Sequence, residues 1–137
     1  MISQLTHLNW ISTLLAFVAY FVLGGLWFTL LFSKQYKISL GRDNETLESK
    51  PIFIVGPALC SLVITLANAI LFYALNISSF GEALEFSLVV GIGFLVANTV
   101  NIAINPNIPR PIHYGIISGS YHLTGIVIVN SILIAMK

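Results

Sequence analysis

Residues 52–77, IFIVGPALCSLVITLANAILFYALNI, run without a single Lys, Arg, Asp or Glu. About 20 such residues in an α-helix cross the roughly 30 Å of hydrocarbon in a bilayer. Gly56-Pro57 interrupts the start, so the helix either begins with Pro57 in its first turn or kinks there. From Pro57 to Ile77 the remaining length still spans. Three more stretches meet the same requirement, Leu8 to Phe32, Phe80 to Ile104 and Ile112 to Met136. In lipid a backbone must satisfy its own hydrogen bonds, so segments of this length are helices. The expected fold is an all-α integral membrane protein, a single transmembrane domain over residues 1–137 whose four transmembrane helices form an up-down bundle. The first stretch lacks a basic leader and a small-x-small cleavage site, and it is read as a retained helix rather than a signal peptide.

Composition agrees. Of the chain's residues 57% are hydrophobic and 8% charged, and the mean hydropathy is +0.93. A soluble domain of this size needs a charged skin. Here seven of the charged residues lie between Lys34 and Lys50, inside the one sizeable loop, 33–51. A net charge of +1 without a basic helix or tail excludes a nucleic-acid partner. The single Cys60 sits in an apolar run and is read as a small packing residue.

The connections are legible. Ser79-Phe80-Gly81-Glu82 is a capping box that joins helices two and three tightly. The run from Asn105 to Pro111 holds three prolines and cannot continue a helix. Loops one and three carry Lys34, Lys37, Arg42, Lys50 and Arg110, whereas the second loop and the termini carry only Lys137. Positive residues are retained in the cytoplasm, which puts both termini on the non-cytoplasmic side of a cytoplasmic (plasma) membrane.

Small and neutral polar residues recur at helical spacing, and these faces are expected to turn inward because lipid offers helices no hydrophobic reason to associate. On the first helix Thr13, Tyr20, Gly24 and Trp27 share a face with Gly25 beside it. On the second the set is Pro57, Ser61, Thr65, Asn68 and Phe72. On the third, Ser87, Gly91, Phe94, Asn98, Asn101 and Asn105 follow steps of three and four. On the fourth, Gly115, Ser118, Gly119 and His122 form a stripe that Gly125 extends. Gly24, Gly25, Gly91, Gly115, Gly119 and Gly125 are therefore expected at helix contacts, within the chain or in a homo-oligomer. Tyr20, Asn68, Asn98, Asn101, Asn105, Tyr121 and His122 are the candidate ligand or pore-lining residues. They either bond to one another as packing or line a hydrated cleft.

His122 is the group deep in a span whose ordinary pKa lies near neutrality. Ser118 is at the spacing for a nucleophile beside it, yet serine on a glycine-rich face is more often packing. His7, His113 and His122 lack paired metal-ligand spacing, and no metal or cofactor is expected.

Asn9-Trp10, Gly24-Gly25-Leu26-Trp27-Phe28, Leu30-Leu31-Phe32-Ser33-Lys34 and Tyr121-His122-Leu123-Thr124-Gly125 resemble the small bacterial membrane proteins of domain-of-unknown-function family 1761. The resemblance runs nearly end to end. Phe28 stands where the family's Gly-x-Leu-Trp-Tyr has tyrosine, and Thr29 where proline usually follows. The resemblance implies four helices and a membrane location, and no catalytic residue. The leading reading is a module that binds or passes a small neutral molecule through its polar stripe. The alternatives are an accessory membrane subunit without its own activity, and an intramembrane enzyme using His122 on a lipid-like substrate.

Overall fold

A computed structural model describes residues 2–46, 48 and 50–137, and among them the secondary structure is helical throughout, with no strand. A 3-10 turn over Ile2–Thr6 leads into five helices: α1 (Trp10–Leu31), the short α2 (Ser33–Ser39), α3 (Ile52–Ala74), α4 (Phe80–Ala103) and α5 (Pro111–Ala135). All but α2 are long and apolar enough to cross a membrane.

Their ends follow from local chemistry. The Asn9 side-chain oxygen accepts from the amides of Ile11 and Ser12 at 3.1 and 3.2 Å and so caps α1. Helix α3 starts at Ile52 and runs through Pro57, so the proline lies inside the helix. Its C-terminus closes through Asn76, whose φ of 54° is the left-handed conformation that asparagine tolerates. There the amides of Asn76 and Ile77 turn back onto the carbonyls of Tyr73 and Phe72. The capping box of Ser79 and Glu82 is present, and Pro111 occupies the first turn of α5.

The first and third loops meet where Gly41, at φ 68°, lies against Pro109. At the other end the Asn9 carboxamide donates to the Met136 carbonyl at 2.8 Å, and the Lys137 ammonium donates to the Ile77 carbonyl at 2.5 Å. Helix α5 packs against α1, α3 and α4. It is the least apolar of the four, yet half of its span is buried (50%, against 11% to 22% elsewhere).

Glycines explain why. A Cβ at Gly125 would collide with the Tyr20 ring, and one at Gly24 would come 2.9 Å from the Tyr121 hydroxyl. Gly91 lies against Leu123 and Ile126, Gly115 against Val100 and Gly119 against Val96. Each is a place where another helix fills the space of the missing side chain. Gly25 differs: it is exposed and nothing approaches its Cβ position within 4 Å, so it is not a packing glycine in this chain. Cys60 is likewise exposed, not packed.

Helices α1 and α4 each contain a π-helical turn, over Trp27–Leu31 and Gly91–Val96. In α4 it changes which residues face inward. Ala83, Ser87 and Gly91 face the core at steps of four. Five residues on, Val96 meets Gly119 of α5, Val100 then meets Gly115, and Ala103 is buried. One extra residue in the turn rotates all that follows by roughly 100° at 3.6 residues per turn. The regular spacing that linked Ser87 and Gly91 to Phe94, Asn98 and Asn101 is broken there, and all three fall on the outer side of the chain.

We expect Gly125→Ala to destabilise the fold by about 1–3 kcal/mol through forced overpacking against Tyr20. Gly25→Ala should instead leave stability unchanged or raise it by up to ~1 kcal/mol, because alanine favours helix. Reversible unfolding of the purified protein in detergent checks both.

Candidate functional site: a tyrosine–histidine pair in the helical core

Where α1 meets α5, each helix supplies a glycine to the other's tyrosine. Tyr20 enters at Gly125 and Tyr121 enters at Gly24. The two rings stack with centroids 5.2 Å apart and 25° between planes. This exchange places the fully buried Tyr20 hydroxyl 2.5 Å from Nδ1 of His122. The Tyr20 hydroxyl and Nδ1 share a hydrogen bond; with the phenol as donor, the imidazole carries its proton on Nε2. His122 is only half-buried, and Nε2 is not among the buried unpartnered atoms. In that tautomer Nε2–H is a donor that the Tyr20 contact orients and that bonds to nothing among the described residues.

The surroundings are aromatic. The π-turn of α1 brings both Trp27 and Phe28 to Tyr121, with centroid distances of 6.4 and 5.2 Å. The Trp27 indole also donates to the Ile117 carbonyl at 3.1 Å. Phe28 continues edge-on to Tyr36 of α2 at 4.9 Å, and Tyr36 packs on Tyr114 at 5.8 Å. At Phe28 these contacts are made by the ring alone.

A second polar cluster joins α3, α4 and α5. Asn68 donates to the Asn130 carbonyl oxygen at 2.5 Å, Asn130 donates to Ser87 Oγ at 2.9 Å, and Ser87 donates to the Ala83 carbonyl at 2.6 Å. Asn130 is fully buried and escaped the sequence reading. Its signal was present: it continues the inward face of α5 four residues beyond Ile126, as a lone carboxamide in an apolar run.

The structure therefore divides the expected site. Tyr20, Tyr121 and His122 come together, and Asn68 belongs to the second cluster. Asn98 and Asn101 do not join either; they are exposed in the last two turns of α4, rotated away by the π-turn. Asn105 lies beyond the helix, where its side chain accepts from the Asn107 amide and donates to the Ile102 carbonyl, both at 2.7 Å. It shapes a turn and lines no interior. Ser118 is buried, but its hydroxyl has no partner and is not bonded to His122. Among the described residues no group of His, Cys, Asp and Glu side chains stands close enough to hold a metal ion.

These features define a small, all-helical chain with four helices able to span a membrane and a neutral polar interior. Residues 11–134, nearly the whole length, match the family model described as "Protein of unknown function (DUF1761)", and the chain belongs to that family. No curated protein and no solved structure matches it.

Outside the spanning helices, burial, followed by the neighbouring Tyr114 and opposed by Arg42, pushes the Tyr36 phenol up to about 12. The folded state then holds this proton where the unfolded chain releases it. Its contribution to stability should be constant below pH 10 and fall between pH 10 and about 12. Unfolding measured across that range should lose this component in Tyr36→Phe.

Proposed function

We propose that this chain is a multi-pass protein of the plasma membrane whose core binds, and in the fuller form of the reading passes, a small neutral molecule that can accept a hydrogen bond. Its four long helices form an up-down bundle, with loops one and three in the cytoplasm and both termini outside. The support for this orientation is the placement of Lys34, Lys37, Arg42, Lys50 and Arg110 in those two loops. The observation that carries the functional reading is the half-buried His122 imidazole, bonded through Nδ1 to Tyr20, with Nε2 in no hydrogen bond among the described residues. Among the described residues no carboxylate, lysine or arginine is hydrogen-bonded to the pair, which suits an uncharged ligand.

Self-association belongs to the same proposal. Most of the glycines that suggested it are taken up inside the chain, so a second copy would meet the outer side of α4. There Gly93, Asn98 and Asn101 are exposed, and each carboxamide can both donate to and accept from its counterpart.

An accessory subunit without its own activity is the second reading. The run of bonds from Asn68 through Asn130 to Ser87 favours it, because groups that answer one another serve packing. Catalysis by a Ser118–His122 pair has no support, since Tyr20 holds Nδ1 and the Ser118 hydroxyl does not reach the ring.

Liposomes carrying the purified protein should equilibrate water, glycerol or urea faster than empty vesicles. Tyr20→Phe removes one hydrogen bond worth about 1 kcal/mol and should weaken the effect roughly fivefold. His122→Phe should abolish it. Permeabilities equal to those of empty vesicles for all three solutes would exclude the permeation form. If His122→Ala also altered only assembly, the accessory reading would stand.

A further inference from the structure

Several helical hydroxyls in this chain make the same bond. Thr13, Thr29, Ser87, Thr99 and Ser131 each donate to the backbone carbonyl four residues earlier. Thr65 does not: fully buried in α3, its hydroxyl has no partner among the described residues. One turn further along the same face, the side-chain oxygen of Asn68, also buried, has none either.

The direction of the neighbouring bonds explains the second orphan. Ser87 spends its proton on the Ala83 carbonyl, so it can only accept from the Asn130 NH2. Asn130 must then present its oxygen to Asn68, and Asn68 must answer with its NH2. The Asn68 oxygen is left pointing away from the cluster as an acceptor without a donor.

Side chains three apart on a helix are neighbours, with Cβ atoms roughly 5–6 Å from one another. The Thr65 and Asn68 oxygens do not bond to each other, and neighbours at this helical spacing are within the reach of one bridging molecule.

We infer that Thr65 and Asn68 form a buried site for one water molecule, which accepts from the Thr65 hydroxyl and donates to the Asn68 oxygen. On α3, Thr65 lies between Ser61, which faces Tyr121, and Asn68, which faces Asn130. The bound water therefore stands between the tyrosine–histidine pair and the asparagine cluster. The inference deepens the proposed function and rests on it in one respect: this water is the first occupant of an interior suited to small neutral molecules.

Water-edited solid-state NMR of the full chain in bilayers tests it by recording magnetisation transfer from water to the Asn68 side-chain amide and to Thr65. Transfer is expected at both. The Asn68 signal should disappear in Thr65→Val, which keeps the shape of the side chain, and return in Thr65→Ser. Absence of transfer in the unaltered protein while the loops show it, or an Asn68 signal indifferent to Thr65→Val, would overturn the site. Vesicles no leakier than empty ones, with the Asn68 signal intact, would instead remove the permeation reading and leave this site standing.

Discussion

Helices α1 and α5 come together because each lacks a side chain where the other sends in a tyrosine. Tyr20 occupies the space at Gly125, and Tyr121 the space at Gly24. Apolar helices in the bilayer proposed for this chain gain nothing from hiding from water, so close approach and directional bonds must hold them. The tyrosine exchange supplies both. It lets the backbones approach, stacks two rings, and delivers a hydroxyl to Nδ1 of His122. Any Cβ at either glycine would disturb the contact and the pair together.

The central position of α5 follows from the same logic. Its span is the least hydrophobic of the four and the most buried, which would be a contradiction in a soluble protein. With lipid as the surroundings, the helix richest in glycine and polar groups belongs in the middle. Gly115, Gly119 and Gly125 receive Val100, Val96 and Tyr20, and Asn130 closes the far end of the same face. The π-turns serve this packing. In α4 the turn brings Val96 and Val100 onto α5, and in α1 it brings both Trp27 and Phe28 to Tyr121. Such turns insert a residue without breaking the helix, and they recur at functional sites.

Membership of a family without an assigned activity leaves the chemistry to the residues themselves. They divide into two kinds of polar group. The Asn68, Asn130 and Ser87 amides and hydroxyl largely answer one another and fix how α3, α4 and α5 meet. The imidazole of His122 is answered on one side only. The proposal that His122 binds a ligand rests on that asymmetry, since a buried polar atom ordinarily finds its partner within the chain.

The sequence by itself determined the elements and their ends, because those depend on residues within a few positions of one another. Long uncharged runs specify helices, Ser79 and Glu82 cap α4, and the prolines between Asn105 and Pro111 end it. Tyr20, Tyr121 and His122 were legible as candidates, since a polar side chain in an apolar helix asks for a partner. Which partner each takes was decided only in three dimensions. The turn at Gly91–Val96 could have been an ordinary α-turn as far as local chemistry goes, and its extra residue answers to Gly119, Leu123 and Ile126 on another helix. That single residue carried Asn98 and Asn101 to the outside, while at the level of Ser87 it is Asn130, a residue of a different helix, that meets Asn68 in the core. Helical periodicity read along one chain segment cannot register such a shift, because its cause is the fit between surfaces distant in sequence.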